Sequence, residues 1–135
     1  MTGARDAAPI IPTFRYHDPE KIIRFMQDVF GFEVVAVHRG AMIEHAELRF
    51  GDSVIMLGPV RDDSYGRMVG EPGGLSGQST YVVVEDPDAI HERVKAAGAK
   101  VEEAPTDRDY GSREFICRDP EGNVWSFGTY RPSLG

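Results

Sequence analysis

The sequence predicts an α+β fold made of two tandem βαβββ modules, a mostly antiparallel sheet architecture with its helices on one face. Three observations lead there. Asp18-Pro19 opens a stretch that is apolar at helical spacing and closes at Gly31, and Asp86-Pro87 opens a second that closes at Gly98. Each stretch follows one strand-like run, residues 10–16 and 79–84, and precedes three more. Two copies of this unit consume nearly all of the 135 residues. The divisions that follow are an arm at 1–8, a first module at 9–59, a Gly-rich crossover at 60–77 and a second module at 78–132, together one domain.

Residues 1–8 are small and polar and are expected to form a flexible arm. Residues 10–16 read as a strand. Asp18 is a good N-cap, and Pro19 suits the first helical position, where its missing N–H would have no partner anyway. Ile22, Ile23, Phe25, Met26, Val29 and Phe30 supply the apolar stripe of the first helix, and Gly31 fits its C-cap. Residues 33–38 form a strand, and 45–50 with 53–57 form a hairpin about Gly51-Asp52. Residues 58–77 hold many glycines and little pattern, and are expected to be linker or lid. A phosphate-binding loop is not expected there, because no Lys-Ser/Thr follows and no helix is predicted to start. In the second half, 79–84 is a strand and Asp86 caps a helix whose Ile90, Val94 and Ala97 face the core. Residues 100–104 and 113–117 are strands, 119–123 is a turn, and 124–129 is the last strand.

Composition narrows the function classes. Lys and Arg number 15 against 22 Asp and Glu, a net charge of −7 with no basic cluster. Nucleic acids and anionic membranes need concentrated positive charge, so neither is an expected partner. No apolar run reaches membrane-spanning length, and the start lacks a signal-peptide pattern. The one cysteine, Cys117, has no partner for an internal disulfide, and a cytoplasmic setting is expected.

The repeat, together with the segments 18–34, 85–101 and above all Asp119-Pro-Glu-Gly-Asn-Val-Trp-Ser-Phe, resembles the vicinal oxygen chelate superfamily of glyoxalase I, bleomycin-resistance proteins and extradiol dioxygenases. The resemblance covers residues 9–132. It implies that the two modules form a cupped sheet enclosing a site, often completed by a second chain, so a homodimer is expected. In metal-dependent members, the first and last strands of each module supply His or Glu ligands. Those positions correspond here to Ile11, Met56, Ser79 and Ser126. A hard or borderline divalent cation needs imidazole or carboxylate donors, which none of the four offers. No cofactor is therefore expected, and the resemblance points to the branch that binds a small organic molecule, as in drug sequestration. The alternative is a lyase, isomerase or dioxygenase with a non-standard metal site or metal-free Glu/Arg chemistry.

Strand alternation then gives a lining. Ile11 carries Thr13 and Arg15 to the same face, Ser79 carries Tyr81 and Val83, Ser126 carries Val124 and Gly128, and Met56 carries Val54. A two-residue turn at Gly51-Asp52 pairs Arg49 with Val54, Glu47 with Met56 and His45 with Gly58, which puts His45, Glu47 and Arg49 on the polar face. Ala46, Leu48, Phe50, Ile55 and Leu57 then face the helix. His45 and Glu47, the catalytic candidates, can be a hydrogen-bonded pair on a solvated strand face, a ligand contact, or two donors of a weak metal site. Tyr110 and Arg113 lie in a loop expected near the mouth of the cup. Arg113 can clamp an anion and Tyr110 can stack on a flat ligand, or the segment is a hairpin turn with a structural Arg113–Glu114 pair. The ligand-binding candidates are thus Arg15, Arg49, Met56, Ser79, Tyr81, Tyr110, Arg113 and Ser126. Trp125, Phe127 and Cys117 read as core, and His17, His38 and His91 are assigned no chemistry.

Overall fold

Two Asp-Pro sequences set the helices, and each helix sets the face on which its sheet buries apolar side chains. The structure, a computed structural model, describes residues 5–135. The chain divides into two units, one through Pro72 and the other Gly73–Gly135. The division falls inside the segment expected to be the crossover.

In the first unit, β1 (Thr13–Tyr16) leads to α1 (Pro19–Phe25), then a π-helical turn, Met26–Phe30, and β2 (Glu33–Arg39), β3 (Ile43–Phe50) and β4 (Ser53–Pro59). The Asp18 side chain accepts a hydrogen bond from the Lys21 amide at 3.2 Å, and Gly31 closes the helical segment in the left-handed region at φ 84°. The sheet order is β1-β4-β3-β2, with β1 parallel to β4 and the other pairs antiparallel. Leu48, Ile55, Leu57 and Ala46 are buried on one face with Ile22, Met26 and Phe30. The hairpin register is as expected, Glu47 opposite Met56 and Arg49 opposite Val54.

The second unit repeats the plan: β5 (Thr80–Val83), α3 (Pro87–Ala96), β6 (Val101–Asp107), β7 (Arg113–Arg118) and β8 (Val124–Gly128), in the order β5-β8-β7-β6 with β5 parallel to β8. Asp86 caps α3 by accepting from the Ala89 amide at 3.2 Å. Val82, Ile90, Val94, Phe115, Cys117, Trp125 and Phe127 form its core, so the readings of Trp125, Phe127 and Cys117 as interior hold. Burial pushes the Cys117 thiol up to about 12, which leaves it inert. Among the described residues, no helix is long and apolar enough to cross a membrane.

Several expectations need correction. The first strand begins at Thr13 and not at residue 10, because Pro12 has no N–H for the ladder; its carbonyl still accepts from the Met56 amide at 3.0 Å. β5 begins at Thr80, so Ser79 lies outside it. β6 runs to Asp107, three residues further than expected, and its register slips between Glu103 and Thr106, around Pro105 on this edge strand. Residues 1–4 of the expected arm lie outside the described residues; Arg5 pairs with Asp52 at 2.7 Å and the Ala8 amide donates to the Asp52 carbonyl at 3.1 Å.

The largest correction is a helix inside the crossover, where none was predicted. α2 (Ser64–Val69) is capped by Asp63, whose side chain accepts from the Gly66 amide at 2.7 Å. Gly66 is buried, and a Cβ there would press into the Arg61 carbonyl oxygen. Gly66→Ala is therefore expected to unfold this one-and-a-half-turn helix and cost about 1–2 kcal/mol, seen as faster proteolysis between residues 61 and 72 with the rest of the chain intact. Unchanged cleavage there would contradict the packing assigned to Gly66.

Candidate functional site

Each sheet buries one face under its helices, and the candidate groups divide among the opposite faces, the adjoining loops and, for Arg113, the side of α3. In the first unit, parallel pairing puts Thr13 level with Met56, and antiparallel pairing puts Glu47 level with Met56 on the other side. His45 Nε2 lies 2.9 Å from Glu47 Oε2, and the two side chains are 37% and 35% exposed. The His38 ring, to which no chemistry was assigned, sits 5.7 Å from that of His45. Arg15 donates from Nη1 to the Pro59 carbonyl at 2.9 Å, and its guanidinium lies 4.7 Å from the centre of the Tyr65 ring. The Tyr65 hydroxyl is 3.4 Å from Thr13 Oγ1. The helix missed from sequence thus brings Tyr65 over Arg15 and Thr13. Arg49 is exposed and donates from Nε to the Gly51 carbonyl at 3.2 Å, so it caps its own turn.

In the second unit, Tyr81 is level with Ser126, and Ser126 with Ile116. The centre of this face is Glu114, a carboxylate only 8% exposed. Its Oε1 accepts from the Tyr110 hydroxyl at 2.8 Å and from Arg108 Nε at 3.3 Å; its Oε2 accepts from Ser112 Oγ at 2.9 Å and from the Tyr81 hydroxyl at 3.2 Å. Burial pushes this carboxyl up, but the four donors outweigh it and hold it below the usual value of 4.5. Burial and the Glu114 charge raise the Tyr81 phenol, and the hydrogen bond to Glu114 raises that of Tyr110. Arg108 also pairs with Glu103, which raises its pKa further. Gly128 lies level with Glu114, and a Cβ on it would collide with Tyr81 Oη and Glu114 Cγ.

Arg113 is not part of this constellation, nor is it paired with Glu114. It lies on the opposite side of β7 and binds Asp88 of α3 at 3.0 Å and Asp107 of β6 at 3.0 Å, which push its pKa up. Successive strand residues face opposite ways, so an Arg113–Glu114 pair across one face was excluded by geometry. Ser79 is exposed and lies just before β5. The structure therefore gathers Tyr81 and Tyr110 about Glu114, with Ser126 on the same face, and His45 with Glu47, but leaves Arg49, Ser79 and Arg113 outside these clusters.

The side chains level with Met56 and Ser126 on the parallel neighbours are Thr13 and Tyr81, two residues beyond Ile11 and Ser79. A thioether, two alcohols and a phenol do not fit a hard or borderline divalent cation. Among the described residues, no group of three or more His, Cys, Asp or Glu side chains is placed to hold a metal ion.

A family model described as Glyoxalase/Bleomycin resistance protein/Dioxygenase superfamily matches residues 12–127. An uncharacterized protein of Mycobacterium bovis is 34% identical over 86 residues, 62% of this chain and 57% of that protein, so the match spans little more than half of the relative's length. Among solved structures, TioX from Micromonospora is 26% identical with a TM-score of 0.73, covering 95% of this chain and 100% of its own. TnmS3, an antibiotic binding protein from Streptomyces, is 21% identical with a TM-score of 0.69, covering 98% and 99%, a likeness of fold.

Proposed function

The chain belongs to the glyoxalase/bleomycin resistance protein/dioxygenase superfamily, and from that premise we propose that it binds a small organic molecule without a bound divalent metal, as a sequestering protein does. The observation that carries this reading is the Glu114 cluster. A buried carboxylate costs several kcal/mol to desolvate, and an apolar side chain would serve folding as well or better. Here it fixes two tyrosines and a serine on the polar face of a sheet, with Tyr81 and Tyr110 partly exposed, at 38% and 59%. Polar groups held in place beside aromatic surface are what a small-molecule site requires. Tyr65 over Arg15 supplies a similar combination in the first unit. The antibiotic binding of TnmS3 is a property of that protein; it supports the choice of flat, drug-like compounds as probes.

The test is a thermal-shift screen of the full chain against aromatic and heteroaromatic drug-like compounds, followed by mass spectrometry of the recovered ligand. A binder at about 100 times its Kd stabilises by about 2.7 kcal/mol, a shift of several degrees. Recovery of unchanged compound is the expected result, and no shift across the library would sink the reading. Metal content after loading with divalent ions and desalting is expected below about a tenth of an equivalent; close to one equivalent would overturn the metal-free part. A homodimer accompanies the proposal, giving a light-scattering mass near twice 14.9 kDa.

One observation favours a second reading. The His45–Glu47 contact at 2.9 Å is an acid–base pair on an accessible strand face, suited to moving a proton on a bound carbon acid. Turnover of a compound found by the screen, abolished by His45→Ala, is the result that would favour it over sequestration.

A further inference from the structure

We propose that Tyr110 is the outward hydrogen-bond acceptor of the second unit, and that it selects flat aromatic ligands bearing an N–H or O–H donor over those presenting a lone pair. The proposal rests on the small-molecule reading and names the ligand chemistry. A phenol has one proton to give and lone pairs with which to receive. Tyr110 directs its proton to Glu114 Oε1 at 2.8 Å. An ionised carboxylate is acceptor-only, so the direction of that bond is fixed. Among the described residues, no donor meets the Tyr110 oxygen, which keeps its remaining lone pair for solvent or a ligand.

The neighbouring groups do not compete for this role. Glu114 offers about four lone-pair sites, and Tyr81, Arg108, Tyr110 and Ser112 meet them. A ligand donor therefore reaches the carboxylate only by displacing one of these. Tyr81 also spends its proton on Glu114, and its oxygen lies against the Ser112 hydroxyl and the Tyr130 backbone. Tyr110 is the outermost member of the set at 59% exposed, beside Tyr130 at 50%. The two rings meet edge to face, centroids 6.0 Å apart at 87°, an arrangement that leaves ring surface for a flat ligand. A ligand carbonyl or pyridine-type nitrogen brought to the Tyr110 oxygen would set lone pair against lone pair, whereas an N–H would complete a hydrogen bond.

The probes are indole, whose ring nitrogen only donates, and quinoline, similar in size, whose ring nitrogen only accepts. Each is titrated into the isotope-labelled full chain while the amide resonances of residues 108–114 and 128–130 are followed. Indole is expected to bind about tenfold more tightly, equivalent to ~1.4 kcal/mol. Tyr110→Phe keeps the ring and removes the oxygen, and should bring the two affinities to within about twofold, chiefly by weakening indole. Its amide spectrum elsewhere should match wild type, since Tyr110 lies on an exposed loop. Equal or tighter binding of quinoline, or an indole preference that survives Tyr110→Phe, overturns the inference and leaves the small-molecule reading standing. Absence of any perturbation by either probe overturns the inference too, and the library screen then decides separately whether the reading itself fails.

Discussion

Asp119→Ala is expected to lower the stability of the chain by about 2–4 kcal/mol, because it strands a buried indole N–H and unties a turn together. Asp119 is 4% exposed and Trp125 is fully buried. Asp119 Oδ2 accepts from Trp125 Nε1 at 3.0 Å, while Oδ1 accepts from the Glu121 amide at 2.9 Å and the Asn123 amide at 3.2 Å. The turn itself adds the Asp119 amide to the Asn123 carbonyl at 2.9 Å, and Gly122 takes the left-handed φ of 92° that a side chain would resist. One carboxylate thus fastens the β7–β8 connection to the largest core side chain of its unit. Asp119→Asn should be intermediate, since one oxygen remains but the NH2 group faces a donor. Urea unfolding followed by the fluorescence of the single tryptophan measures both. A loss below about 1 kcal/mol for Asp119→Ala would refute the role given to the Trp125 bond.

What the sequence made legible follows how far each signal extends along the chain. The Asp18-Pro19 and Asp86-Pro87 caps, the closing glycines and the apolar alternation of β3 and β4 are local and repeated, and the register Glu47 opposite Met56 came out as read. α2 was missed because six residues are too few for a helical period to show, although Asp63-Ser64 was a readable cap beneath the glycine-rich composition. Strand starts were misplaced where Pro12 removed a donor. Arg113 and Glu114 were weighed as a pair by adjacency, when the period of two places neighbours on opposite faces and so frees Glu114 for Tyr81, Tyr110 and Ser112. The contact from Tyr81 to Glu114 joins β5 to β7, and no local pattern announces a bond that spans 33 residues.

Glu114→Ala is expected to destabilise by about 2–3 kcal/mol at neutral pH, because it leaves the buried Ser112 hydroxyl and the Tyr81 hydroxyl without their acceptor. The effect should depend on pH in a definite direction. The folded-state pKa of Glu114 is lowered from 4.5, so its contribution is fully present above that value. As pH falls below 4.5 and through the folded pKa, the carboxyl takes up a proton and the contribution is lost. Wild type should therefore lose more stability on acidification than Glu114→Gln, whose amide does not titrate, and the gap between their urea midpoints should narrow steadily over that range. At the alkaline end the sign reverses in origin: Tyr81 and Tyr110 are raised above 10.0, so the stability that their neutral forms supply is present below that value and falls as pH rises through their folded pKa values. Tyrosinate absorbance should then appear at lower pH in Glu114→Gln than in wild type. If the acid limbs of the two proteins run parallel, Glu114 is not held as a carboxylate by its four donors, and the hydrogen-bond direction assigned to Tyr110 loses its foundation.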